Sequence, residues 1–111
     1  MAGDPRRYDD LFLFFGRIAI KRLFGGEGIF AGPLMIGLVM RDQLYLRTDA
    51  QSLPRYLAEK SAPFSFAKGG KTVSTAYYSV PDRLLDDPEE LADWARDAER
   101  VARARAARTR R

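Results

Sequence analysis

The sequence predicts one α+β domain ordered α-β-β-β-α-β-β-α, with its strands in an antiparallel sheet. Three observations carry that prediction. Asp4-Pro5 and Asp87-Pro88 mark two helix starts, because Asp caps free N–H groups and Pro fits the first helical position at no cost. Between Ile18 and Thr48 apolar runs are separated only by short turn signals, the mark of an antiparallel meander. From Leu91 to Ala102 apolar residues recur at i, i+3, i+4 and i+7, the period of a helix with one buried face. A chain of 111 residues suits one domain of this kind.

The first helix is expected from Asp4-Pro5 to Phe15, ending at Gly16. Tyr8, Leu11, Phe12 and Phe15 form its core stripe; Leu13 and Phe14 lie off it, which predicts cover on more than one side. Ile18 to Ala31 reads as one strand, broken or bulged at Gly25-Gly26. Gly32-Pro33 turns the chain into a second strand, Leu34 to Met40. Arg41-Asp42 is the next turn, and Gln43 to Thr48 the third strand, where Leu44 and Leu46 alternate with Tyr45 and Arg47. Asp49 caps a second helix, Ala50 to Lys60, in which Pro54 sits awkwardly near the first turn. A hairpin follows: Phe64 to Lys68, the turn Gly69-Gly70, then Lys71 to Val80, ended by Pro81. The last helix opens on Asp87 and Pro88, with Glu90 expected to close a capping box.

Composition narrows the chemistry. The chain has no Cys and no His, which excludes disulfides, thiolate zinc sites, a Cys nucleophile and a Ser-His-Asp triad. No catalytic pair of carboxylates stands out, so the expectation is a protein that is not an enzyme and holds no cofactor or metal. Leu11 to Phe15 is too short for a signal peptide or a membrane span; a cytoplasmic location is expected. The net charge of +4 is uneven. Six arginines and no acid lie in 100–111: Arg100, Arg103, Arg105, Arg108, Arg110 and Arg111. Residues 1–99 hold thirteen basic against fifteen acidic side chains, a net of −2. A domain over 1–99 with a basic tail, helical or frayed, over 100–111 follows.

Four features have both a functional and a structural reading. Gly25-Gly26-Glu27-Gly28 has the composition of a phosphate loop, but a strand follows it and Glu27 opposes an anion, which favours close backbone packing. Tyr45, Tyr77 and Tyr78, with Arg47, Lys68 and Lys71, have the makings of a stacking surface for nucleic acid. Tyr77 and Tyr78 must face opposite ways, however, and one Tyr in the core with one at a wet rim fits as well. Asp82, Asp86, Asp87, Glu89 and Glu90 lack calcium-loop spacing and suit helix capping. The arginine tail suits a phosphate backbone or acidic lipid, or equally a solvated helix end whose charges match the dipole. Its apolar positions beyond Val101 are all Ala, too small to anchor in a membrane.

Taken in order, Leu23-Phe24-Gly25-Gly26-Glu27-Gly28-Ile29-Phe30, Leu44-Tyr45-Leu46-Arg47, Pro63-Phe64, Gly69-Gly70, Val73-Ser74, Tyr77-Tyr78-Ser79-Val80-Pro81 and Asp86-Asp87-Pro88 through Leu91 to Trp94-Ala95 resemble the N-terminal domain of the TfoX/Sxy family, regulators of bacterial competence. The resemblance runs from about Gly16 to Ala98. It implies the same α+β order, similar to secretion-chaperone-like domains, and a stand-alone N-terminal domain without the helical second domain of full-length competence regulators. In the second turn the family carries Gly with a basic residue, where this chain has Gly32-Pro33-Leu34. The expected role is a non-enzymatic regulatory or adaptor domain acting by protein–protein contact, with a transcription regulator or a second copy of the chain as partner. The alternative is a transcription regulator that meets nucleic acid through the arginine tail. No membrane partner is expected.

Overall fold

A computed structural model describes residues 10–23 and 25–109. Six strands form one antiparallel sheet: β1 (Ala19–Leu23), β2 (Gly26–Ala31), β3 (Leu34–Met40), β4 (Gln43–Arg47), β5 (Pro63–Lys68) and β6 (Lys71–Ser79). Their spatial order is β1-β2-β3-β4-β6-β5. A short helix α1 (Leu53–Ala58) joins β4 to β5, and a 3-10 turn over Asp82–Asp86 leads into the long helix α2 (Pro88–Thr109). The α+β class holds, with one strand more than the sequence suggested.

That extra strand comes from the first glycine pair. Leu23 pairs with Gly26, so the chain reverses there into a hairpin rather than bulging within one strand. Gly25 sits at φ +82°, a conformation that costs a side-chain-bearing residue about 1 kcal/mol. A bulge does occur further along. Ile29 pairs with Gly37 and Phe30 with Met35, leaving Ile36 as the extra residue. Ile36 is fully buried in the core. The β3–β4 turn places both Arg41 and Asp42 at positive φ, the pattern of a type I′ turn made without glycine. The β5–β6 turn has Gly69 and Gly70 in that role, as expected.

Only the end of the first helix is described; its Asp4-Pro5 start and Tyr8 lie outside the described residues. Asp10 and Leu11 are helical, and Gly16 closes the turn by donating its N–H to the Phe12 carbonyl. Leu13 and Phe14 are exposed, contrary to the expected cover. Helix α1 is shorter than predicted. Residues 50–52 form a turn in which the Asp49 carboxylate accepts from the Gln51 and Ser52 N–H groups. The helix then starts at Leu53, which places Pro54 in its first turn, where no N–H is needed. It ends in a Schellman arrangement, Ser61 N–H to Tyr56 O and Lys60 N–H to Leu57 O, with Lys60 at φ +61°.

One face of the sheet carries the core. Ile29, Leu44, Leu46 and Val80 pack beneath α2, whose Leu91, Trp94, Ala95, Ala98 and Ala102 face inward. Helix α2 lies chiefly over β3 and β4; the small Ala95, Ala98 and Ala102 let it come close. Tyr56 of α1 meets Trp94 edge-on at 4.7 Å, and the Arg55 guanidinium stacks 4.7 Å from the same ring. Asp87 caps α2 through the Glu90 N–H at 3.1 Å. The reciprocal half of the capping box is not made. The Asp87 N–H bonds to the Leu84 carbonyl, and the Glu90 carboxylate turns to Arg83. Pro81 opens the 3-10 turn and Pro88 opens α2.

Candidate functional site

Among the described residues no helix lies on the opposite face of the sheet. Strand alternation sends every second side chain there, and in this chain many of those side chains are apolar. Phe30 comes from β2, with Met35, Leu38 and Met40 from β3. Tyr45 and Tyr77 follow from β4 and β6. Phe64 and Phe66 of edge strand β5 form one side, and Leu23 at the end of β1 forms the other. Together they line an open cavity of about 900 Å³. This is the size of a groove that takes a ligand or a partner's side chains.

Local sequence explains the walls. Gly28 is buried under Leu23: a Cβ at position 28 would stand 2.6 Å from Leu23 Cδ1. Gly26 leaves no more room, since its Cβ would stand 2.3 Å from the Val39 carbonyl oxygen. These two glycines therefore serve close packing, though in a hairpin rather than the expected bulge, and Gly28 makes room for the Leu23 and Phe30 side chains of the groove. On the other side the Tyr45 and Phe64 rings meet edge to face at 5.6 Å, and Phe66 stacks on Phe64 at 6.2 Å. Phe66 remains 42% exposed.

The charge on this face is one-sided. Lys21 places its ammonium 4.8 Å from the Phe30 ring centre. Arg47 lies 4.9 Å from the Tyr77 ring, and its Nε donates to the Met35 carbonyl at 3.2 Å. Arg41 lines the cavity. Lys68 and Lys71 pair with each other at the end of the β5–β6 hairpin, on the face of Phe66 by alternation. Glu27 is the acidic residue among those lining the cavity. Lys21, Arg41, Lys68 and Lys71 have no acidic partner among the described residues.

Of the residues singled out from sequence, the structure brings Tyr45 and Tyr77 into the lining of this groove, with Gly28 packed against Leu23 and Phe30, Gly26 against Met40, and Arg47, Lys68 and Lys71 beside it. Phe24 lies outside the described residues. Leu44 and Trp94 are core residues, and Tyr78 packs 6.3 Å from Tyr56 on the helical side. The expectation of a wet rim tyrosine fails at Tyr77. Its hydroxyl is buried without a hydrogen bond of good geometry; burial pushes its pKa up, and the nearby Arg47 guanidinium opposes that shift. Phe30, Met35, Met40 and Phe66 were missed as groove residues. For Met35 and Met40 a signal was present: Leu34 to Met40 has no polar side chain. An antiparallel strand covered on one side alternates, so an unbroken run means that both faces are apolar.

The arginine tail is largely built into the fold. Helix α2 continues through the expected domain limit at residue 99, with Val101 and Ala102 buried. Arg100 holds Asp97 at 2.9 Å and Asp49 at 3.2 Å. Its guanidinium keeps the Asp49 carboxyl below the usual range, while the two carboxylates raise the pKa of Arg100. Arg103 pairs with Glu99 at 2.8 Å. Arg105 and Arg108 are exposed; Arg110 and Arg111 lie outside the described residues. Near the other end of α2, Arg83 joins Glu59 and Glu90, depressing both carboxyl pKa values. Among the described residues no group of three or more acidic side chains is placed to hold a metal ion. No described helix is long and apolar enough to cross a membrane.

The family model of the TfoX N-terminal domain matches residues 10–102. A search of curated proteins finds no match.

Proposed function

Given that this chain belongs to the TfoX N-terminal domain family, we propose that it is a non-enzymatic regulatory or adaptor domain that works by protein–protein contact through the helix-free face of its sheet. One observation carries the reading: an open apolar groove of about 900 Å³ that no described helix or strand covers. A soluble domain gains nothing in its own stability by leaving such a patch open, and patches of this kind mark interaction sites. The aromatic and methionine lining supports a protein partner, since these residue types dominate interface cores. The role in transcription and competence that the family resemblance implies belongs to this proposal. The tail is the weaker surface, because Arg100 and Arg103 already have acidic partners.

Affinity capture from the cells of origin tests the reading, using the full chain, Phe66→Glu, and an Arg108→Ser/Arg110→Ser/Arg111→Ser variant. Proteins captured by the wild type and the tail variant, but lost with Phe66→Glu, are the expected result. Capture that survives Phe66→Glu and disappears with the tail variant contradicts it, and nucleic acid recovered in that pattern establishes the alternative.

A further inference from the structure

The groove's backbone environment and its rim together specify what fits it. We propose that its occupant is an amphipathic helix of a partner protein whose apolar stripe is flanked by acidic residues. This rests on the reading of the sheet face as a protein-contact surface and adds the chemistry of the partner.

The helical form follows from hydrogen bonding. Within a sheet, N–H and C=O groups point along the sheet plane toward neighbouring strands, so its face offers none to a ligand. An extended segment laid in this apolar groove would bury backbone polar groups without partners, which is costly. A helix satisfies its own backbone and presents only side chains. Six strands spaced about 4.8 Å apart span about 24 Å, the length of a helix of about sixteen residues. Leu23 and Phe66 bound the groove on its two sides, and Met35 and Met40 on its floor have the side-chain flexibility that lets such grooves adapt to helical ligands.

The acidic flank follows from charge. Lys21, Arg41, Arg47, Lys68 and Lys71 surround or extend the groove, against Glu27 alone among its lining residues. Residues 1–99 are net acidic, so these five cations are a local concentration rather than a sample of the whole. Four of them lack an acidic partner among the described residues. A helix carrying Glu or Asp beside its apolar stripe supplies those partners; a basic one meets repulsion.

The probe is a fluorescein-labelled sixteen-residue peptide with Leu and Phe at helical i, i+3, i+4, i+7 spacing and Glu on both flanks. Controls are the same peptide with every Glu replaced by Lys, a scrambled version of equal composition, and a single-stranded oligothymidine. Anisotropy with the full chain should show the acidic peptide binding at least about tenfold tighter than either peptide control, as expected for complementary charge around an aromatic anchor. Phe66→Glu and Lys21→Glu/Arg41→Glu should each weaken it about tenfold, with melting curves confirming that both variants fold. NMR shifts in the wild-type protein need no variant and should move Phe30, Tyr45 and Phe66 while leaving the outer face of α2 unmoved. Equal affinity for the acidic, basic and scrambled peptides overturns the proposal. So does tighter binding of the oligonucleotide, shifts confined to α2, or a self-associated chain whose groove is closed to the peptide. Should the peptides fail while Phe66→Glu still strips the captured proteins, the occupant is wrong and the contact face stands. Should both fail, the contact-face reading falls with it.

Discussion

Tyr77 shows how a single residue departs from its ordinary behaviour. Its hydroxyl is buried beside the Arg47 guanidinium, which offsets part of the upward pKa shift from burial, but it makes no hydrogen bond of good geometry, so removing it removes a desolvation cost and at most a weak contact. Tyr77→Phe should leave stability unchanged or raise it by up to about 1 kcal/mol, read from the urea midpoint. A loss of more than about 1 kcal/mol would mean that the hydroxyl has a bonding partner after all. Arg83 is the complementary case, an exposed side chain that ties α1 to the start of α2 through Glu59 and Glu90. Both carboxyls have pKa values below their ordinary 4.5. Stability from such depressed groups is complete above the ordinary value and disappears as pH falls through the folded one. The gap between wild type and Arg83→Gln in urea titrations should therefore be full at pH 6 and narrow as the pH is taken below the ordinary carboxyl value of 4.5. A gap that does not depend on pH would show that Arg83 acts by packing alone.

At the scale of elements, the β1–β2 hairpin is the part whose glycines do most. Gly26→Ala drives a methyl against the Val39 carbonyl, which belongs to the neighbouring strand and cannot swing aside. A cost of about 2 kcal/mol is expected. At Gly25 space is free and only the positive φ matters, so Gly25→Ala should cost about 1 kcal/mol. For a domain of this size each kcal/mol lowers the Tm by about 4–8 °C; two unchanged melting temperatures would refute the account of this hairpin. Lys60 and the Arg41-Asp42 turn point the other way, because each holds left-handed backbone without glycine. Lys60→Gly and Arg41→Asn/Asp42→Gly should each raise the Tm by several degrees. A drop in either would show that those side chains make contacts worth more than the backbone strain.

Much of the element layout was legible in the sequence, for reasons that differ from place to place. The Asp87-Pro88 start, the Gly69-Gly70 turn and the α2 stripe all depend on neighbours in sequence. Local chemistry decides them. Gly25-Gly26 misled because a bulge and a two-residue hairpin ask the same of glycine; only the pairing of Leu23 with Gly26, set by strand contacts, separates them. Glu90 had the right spacing for a capping box, yet Arg83 offers its carboxylate a full positive charge in place of a backbone N–H. The groove was least legible. Its residues come from all six strands, and Tyr45 and Tyr77 could be suspected singly without any sign that Phe30, Phe64 and Phe66 would join them.

For the whole molecule, net charge is a poor guide to its surfaces. The +4 total divides into a slightly acidic body and an arginine-rich end, but the fold redistributes both. It neutralises Arg100 and Arg103 with internal partners. It gathers five of the body's cations around an apolar sheet face, and places Asp87, Glu89, Glu90 and Asp93 together at the start of α2. A two-layer domain of one sheet and its helices normally covers its apolar surface; here the described residues leave a second apolar face open. The central claim is that this face is where partners bind. Photo-crosslinking in living cells tests it most directly, with a benzoylphenylalanine in place of Phe66 in one strain and of Arg108 in another. Discrete protein adducts at position 66, absent at position 108, are predicted. Adducts from 108 alone, or a position 66 that captures nothing while the tail does, would contradict it.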